Sequence, residues 1–379
     1  MLERGTPGDV ERPLARRVSV TSLIVRLRRL ALEGLAGMYD DSDRQFVFRV
    51  RREGAGLVRE GRSSRYSAIA MIGLAREDER ETRRILRHEP GLLLRELQGR
   101  GEGSDRLGEV ALVHWALTAH RWGDRGGTLR RLIALRPAET AQPAVELAWC
   151  LMALCVDADA PVGELRESLA RRLVHSARPA GVFPHVVDGS SGVRSHISCF
   201  ADFVYPIQAL SAYHRLTGDA AALAAALEAG ALICRLQGRG GQWWWHYDVR
   251  TGQVVEPYPV YAVHQDAMAP MALHALQEAS GQGFGEAVER GLQWLESSPE
   301  LQGGSLIDET VALVWRKVAR REPGKLARYL QAAASRLHSS LRVPSLDRVL
   351  PPCSIDFEDR PYHLGWVMYA WPRDSRGQE

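Results

Sequence analysis

Twelve stretches of the chain carry apolar residues at three- and four-residue spacing: 22–38, 67–74, 109–119, 144–154, 162–175, 203–216, 220–236, 264–279, 284–296, 309–319, 324–337 and 362–370. That spacing puts the apolar side chains on one face of a helix, and each helix must bury its face against another. Clusters of Gly, Pro, Asp and Ser at 99–105, 179–192, 238–241 and 302–305 separate them. Strand candidates are few: 46–50 with 57–59, and 242–248 with 254–255 across a turn at 250–252. A weak repeat runs through Leu97-Gln98-Gly99-Arg100-Gly101, Leu236-Gln237-Gly238-Arg239-Gly240-Gly241 and Leu301-Gln302-Gly303-Gly304. Each copy reads as a turn that ends one helix and precedes another. Helix pairs joined in this way bury their faces by stacking on neighbours, in an open solenoid or a closed ring. Closure is favoured because several apolar helices mix aromatics with carboxylates, which suits a central cavity better than a dry core. The expectation is therefore all-α: a single α/α toroid, a barrel of helical hairpins over 21–372 with one or two short β-hairpins at its rim, between flexible tails at 1–20 and 373–379.

Composition removes several alternatives. At 379 residues the length allows two or three domains or one large helical barrel, and 45% hydrophobic residues exclude wholesale disorder. No apolar run approaches the roughly 20 residues of a membrane helix. The polar amino terminus shows no secretory signal, which points to the cytoplasm. Of 49 basic residues only Lys317 and Lys325 are lysine, a uniform bias like the coding habit of a GC-rich genome. Those charges are scattered and balanced by 46 acids, so no nucleic-acid footprint forms. The five cysteines are irregularly spaced, without a CxxC pair, and read as buried structural residues rather than a disulfide or zinc framework. Phosphate-loop, dinucleotide, HExxH and GxSxG motifs are absent, so neither a cofactor nor a metal is expected.

The segment Gln237-Gly238-Arg239-Gly240-Gly241-Gln242-Trp243 fits Q-x3-G-x-W and resembles the QW motif of terpenoid cyclases and related prenyltransferases, which are α/α toroids. Ile307-Asp308-Glu309-Thr310-Val311-Ala312 is similar to the D-x-D-D-T-A segment of class II cyclases, with Asp308 at the proton-donating position, and Asp266-Ala267-Met268-Ala269 resembles its end. The departures are Leu306 and Glu309 in place of the first and last acids, and the lack of a DDxxD to hold a diphosphate. The resemblance thus implies the fold more than the chemistry. Lanthionine synthetases and six-hairpin glycosidases have related helical barrels.

The chemistry-bearing segment is 242–266, where Trp243, Trp244, Trp245, Tyr258 and Tyr261 are interleaved with His246, Asp248, His264 and Asp266. Aromatic faces stack on the apolar face of a sugar ring, and through their quadrupole they also stabilise a carbocation. Some of these rings equally suit wedging the hairpin against the rim. His264 and Asp266, at a helix start, suit a histidine proton shuttle with a carboxylate beside it, and Asp266 also suits a cap. Asp308 and Glu309 suit either an acid–base pair or a helix cap. Asp202 lies among apolar neighbours, where a carboxylate is costly unless it is paired or faces a wet cavity. Arg65-Tyr66, Glu146 with Trp149, Tyr205, and Tyr362-His363 with Trp366 add polar groups and aromatics from other helices.

Three functions follow. The first is an enzyme acting on a small-molecule or oligosaccharide substrate by acid–base chemistry, as hydrolase, lyase or epimerase. The second is a terpenoid cyclase-like enzyme that protonates an alkene with Asp308 or Asp266. The third is a non-catalytic toroid that binds a ligand. The first and second require Asp202, Asp248, His264, Asp266 and Asp308 to converge on one cavity.

Overall fold

The computed structural model describes residues 19–179, 181–189, 195–322, 325–341 and 343–373. Its helices are α1 (Val20–Met38), α2 (Ser64–Leu74), α3 (Glu79–Leu86), α4 (Pro90–Gly103), α5 (Leu107–Ala119), α6 (Gly126–Ala134), α7 (Ala144–Val156), α8 (Gly163–Ser176), α9 (Ala201–Thr217), α10 (Ala220–Arg235), α11 (Ala269–Ser280), α12 (Gly285–Glu296), α13 (Leu326–Leu337), α14 (Leu346–Val349) and α15 (Pro361–Ala370). Local chemistry sets many boundaries. Ser19, Ser63, Asp78 and Asp219 each accept a hydrogen bond from the backbone N–H three residues on, which caps α1, α2, α3 and α10. Gly218 and Gly281 take the left-handed conformation that ends α9 and α11.

Six of these helices close a ring. α2 packs on α5, α5 on α7, α7 on α9, α9 on α11, α11 on α15, and α15 returns to α2. Outside them, α1 covers α15, α4 and α6 cover α5, α8 covers α7 and α9, and α10 covers α9 and α11. This is the expected α/α toroid. The inner helices are apolar nearly all round: Ser67 to Leu74 of α2 and Leu147 to Leu154 of α7 are buried without a break. A helix covered on all sides needs no polar face.

Ring closure rests on a backbone contact. Gly73 of α2 faces Gly365 of α15 so closely that a Cβ on Gly73 would overlap the Gly365 carbonyl. A Cβ on Gly365 would lie 2.7 Å from the Ile69 carbonyl oxygen. Two residues without side chains therefore let the first and last inner helices touch.

Short antiparallel strands gather at one end. Gln142–Pro143, Ile197–Cys199, Val260–Tyr261 and Glu358–Asp359 run directly into, or close before, α7, α9, α11 and α15. Their partners are Val186–Val187, His246–Asp248, Lys317–Ala319 and Gln45–Glu53 respectively. The two expected hairpins are Gln45–Glu53 with Gly56–Arg62, and His246–Asp248 with Val254–Glu256.

Other expectations are corrected. The helix expected at 309–319 is instead a hairpin, Ile307–Asp308 with Leu313–Val314, followed by the strand Lys317–Ala319. Its valines and Trp315 suit a pleated surface, and the rim supplies neighbouring strands. Leu97-Gln98-Gly99-Arg100-Gly101 lies inside α4 rather than in a turn. Gly101 is kept there by packing, since a Cβ would come 2.9 Å from a Val113 methyl. The other two copies end a helical turn but do not lead directly into a helix. Helices α3, α4 and α6 are not among the expected ones; α3 and α6 span only 8 and 9 residues, too short for a repeating apolar stripe to stand out. Residues 1–18 and 374–379 of the expected tails, and the expected helix start at 324, lie outside the described residues; Ser19 and Val20 cap and begin α1. Among the described residues no helix is long and apolar enough to cross a membrane.

Replacing Gly73 or Gly365 by Ala is expected to cost about 1–3 kcal/mol through overpacking, read as a lower urea midpoint at unchanged slope. Gly37→Ala on α1, where nothing lies within 4 Å of the new methyl, is expected to stay within about 1 kcal/mol of the parent.

Candidate active site

The amino-terminal ends of the inner helices meet at the rim. Arg65, in the first turn of α2, donates to Glu146, in the first turn of α7, at 3.1 Å. The other Glu146 oxygen accepts the Gly108 N–H at the start of α5 at 3.0 Å. Tyr66 lies 4.8 Å from Tyr362 at the start of α15, and its hydroxyl accepts from Arg360 at 2.9 Å. Trp149 stands edge-on to Tyr205 of α9 at 5.0 Å and carries the Arg65 guanidinium over its ring. Burial pushes the Tyr205 hydroxyl well above its ordinary value, and Tyr362, Tyr66 and Cys199 lie near enough to add to that shift, so these groups form one cluster. Tyr261 continues the wall. It stands edge-on to Trp245 at 4.9 Å, under the cations of Arg316 and Lys317. Arg328 covers Trp245, and Arg316 and Arg360 both bind Glu358. Arg65, Tyr66, Glu146, Trp245, Arg360 and Tyr362 are partly open to solvent, so the cluster is a wet mouth.

Asp202 is the buried carboxylate of this mouth. It is fully enclosed in the first turn of α9 and accepts the Cys199 N–H at 2.8 Å. It also binds His185 Nδ1 at 3.1 Å, and the His185 side chain is half exposed. His185 is held in place by the strand pair Gln142–Pro143 and Val186–Val187, and its carbonyl accepts the Ala144 N–H that begins α7. The bond at Nδ1 fixes the orientation of the ring.

A second ionic group lies beneath the mouth. His363, fully buried on α15, binds Asp266 through Nε2 at 2.9 Å and Asp359 through Nδ1 at 3.1 Å. Burial alone would lower the imidazole, but the two carboxylates raise it to about 10. Burial raises Asp266, and His363 opposes that shift. Asp266 lies in a π-helical turn, His264–Met268, that leads into α11. The wider turn aims Asp266 at α15 and leaves His264 between Phe200 and Tyr261. Burial lowers His264 to about 3, so it is neutral.

The expected convergence holds only in part. Asp202, Tyr205, Arg65, Tyr66, Trp149, Tyr261, Tyr362 and Trp245 share the mouth, and His246 stacks on Trp245 at 4.5 Å. His264, Asp266, His363 and Trp366 are buried beneath it, and Trp366 packs on Trp115 and Tyr205. The expected shuttle pair His264–Asp266 does not form, because Asp266 is engaged by His363. Asp248 is no open acid: Arg250 clasps it at 2.7 Å within the hairpin turn and, despite burial, lowers it. Asp308 sits in a hairpin rather than at a helix start, bound by Arg52, Thr310 and the Trp315 indole, which lower it although burial opposes them. Glu309 faces outward and pairs with Arg26 and Arg29 of α1.

Three rings of 242–266 are also structural. Trp243 is fully buried against Gly291, where a Cβ would not fit, and Gln237 bridges the Gly241 and Ala287 carbonyls, so the QW-like segment clamps α10 to α12. Trp244 donates to the Leu236 carbonyl, and Tyr258 donates to Glu300. Sequence reasoning missed His185, Cys199, Arg316, Arg328, Glu358 and Arg360 as mouth residues. Only Arg360, directly before Pro361 at a helix start, carried a positional signal.

No family model matches the sequence, and neither does any curated protein. Solved structures do share the fold. An unsaturated glucuronyl hydrolase specific for heparin aligns over 93% of this chain and 96% of its own, with TM-score 0.59 and 13% identity. An unsaturated glucuronyl hydrolase from a Bacillus species, responsible for glycosaminoglycan degradation, aligns over 94% and 97%, at 0.58 and 12%. Cellobiose 2-epimerase from Bacillus thermoamylovorans aligns over 93% and 99%, at 0.61 and 12%. These likenesses support the toroid and give no specific support to a terpenoid cyclase.

The buried imidazolium makes a pH prediction. A histidine raised from 6.5 to about 10 in the folded state contributes stability that is complete below 6.5 and lost as pH rises toward 10. Urea denaturation between those limits should show falling stability in the parent and a flatter profile in His363→Gln.

Proposed function

We propose that the chain is an enzyme of saccharides, a hydrolase, lyase or epimerase that works by acid–base chemistry at the rim mouth. The observation that carries this reading is the Asp202–His185 pair: a fully buried carboxylate joined to a half-exposed imidazole, within a cluster of aromatic rings and ion pairs. In this reading Asp202 orients His185 and holds its tautomer, and His185 moves the proton. The partly open edges of Tyr66, Tyr362 and Trp245 offer aromatic surface to a sugar ring, Trp149 supports Arg65, and Arg65, Glu146 and Arg360 offer donors and acceptors to the sugar hydroxyls. The toroids that share the fold include glucuronyl hydrolases and an epimerase of a disaccharide, which agrees with the reading.

Two ion pairs speak against the cyclase-like alternative. Asp308 is tied to Arg52 in a hairpin, and Asp266 is enclosed under His363.

The test is a panel of disaccharides and uronate-containing oligosaccharides followed by NMR in D2O. New reducing ends report hydrolysis, a new conjugated double bond reports elimination, and deuterium entering a ring carbon reports epimerisation. On the substrate found, Asp202→Asn is expected to lower kcat by roughly 10²–10⁴-fold, and Trp149→Ala is expected mainly to raise KM. Full activity in Asp202→Asn would overturn the assignment.

A further inference from the structure

Three potential metal ligands of different chemistry converge at the start of α9. His185, Cys199 and Asp202 each bring one ligand atom to within 4.8 Å of the others. The cluster is built from fixed backbone. Cys199 ends the strand Ile197–Cys199 in register with His246, the next N–H, of Phe200, donates to the Trp245 carbonyl, and Asp202 follows in the first turn of the helix.

The charge at this point is poorly balanced. Asp202 is fully buried, and among the described residues its only ion-pair partner is the half-exposed His185. No arginine or lysine among them comes within ion-pair distance of it. The carboxylate is instead surrounded by proton donors: the His185 ring nitrogen at 3.1 Å, the Ser198 hydroxyl at 3.4 Å, the Cys199 N–H at 2.8 Å and the Cys199 thiol. A buried anion ringed by exchangeable protons is also a place for a cation. A metal ion there would displace the thiol and imidazole protons and neutralise the carboxylate in one step.

We propose that His185 Nδ1, Cys199 Sγ and an Asp202 carboxylate oxygen form a three-ligand site for a thiophilic divalent cation of the zinc class. A thiolate and an imidazole select such ions over magnesium or calcium, whose partners are all oxygens. Three protein ligands with a half-exposed histidine on the outer side leave a fourth position toward the mouth. The site shares Asp202 and His185 with the saccharide reading but does not depend on it. Its ligands include the proposed proton carriers, so occupancy would take them out of proton transfer.

The test is titration of the full chain with Co2+ alone. A 1:1 complex with intense visible bands of tetrahedral cobalt and a near-ultraviolet sulfur-to-cobalt band is expected. Cys199→Ser should lose the sulfur band, while Cys353→Ser, at an exposed cysteine, should keep it. His185→Gln should weaken binding by about tenfold or more yet keep the sulfur band at saturation, which guards against misfolding of the buried variant. Absence of the sulfur band in the parent, its survival in Cys199→Ser, or unaltered affinity in His185→Gln would each overturn the site. Spectra report the metal without any substrate, so failure here leaves the saccharide reading untouched, and failure of the substrate panel leaves the metal untouched.

Discussion

The mouth exists because two helices can touch without side chains between them. Gly73 and Gly365 bring α2 and α15 into backbone contact, and only then do Tyr66 and Tyr362, near the first turns of those helices, come to 4.8 Å. The same approach lets Arg360 reach the Tyr66 hydroxyl. Helices held at the usual 8–10 Å by larger residues would splay this side of the ring. The chemistry of the rim is thus set by a contact about two helical turns below Tyr66 on α2 and about one turn below Tyr362 on α15.

Above that contact, the amino-terminal ends of the inner helices share one direction. Unpaired N–H groups and helix dipoles make such an end favourable for anions. The acids found there follow the field: Glu146 takes the Gly108 N–H, and Asp202 takes the Cys199 N–H. Asp266 is the exception. Its π-helical turn redirects it from the rim into the ring, where His363 supplies the charge that helix ends supply elsewhere. One acid at a helix start therefore meets the mouth and another serves the scaffold, and their sequences do not distinguish them.

That distinction marks how far the sequence could be read. The toroid was legible because amphipathic outer helices and nearly all-apolar inner ones leave few other ways to bury their faces. Asp202 was legible as an acid among apolar neighbours, and the aromatics of α2, α7, α9 and α15 as rings beside polar groups. Asp308 misled because acids followed by Thr and a run of apolar residues read alike before a helix and in a β-turn. Trp243 and Trp244 misled because a tryptophan that wedges two helices has the same composition as one that lines a cavity. His185 was invisible: it lies in a loop, and only the strand pair ahead of α7 brings it to Asp202.

Closure by the last inner helix also bears on how the molecule is made. Residues 361–370 complete a ring whose first member, α2, begins at residue 64. During synthesis the apolar flank of α2, including Ile69, Ala70 and Gly73, has no permanent cover until α15 has also left the ribosome. Contacts of such long sequence separation fold slowly and leave sticky surfaces exposed meanwhile. A chain stopped short of α15 would hold five of six staves and an open seam, material for chaperones and proteases rather than a smaller stable ring.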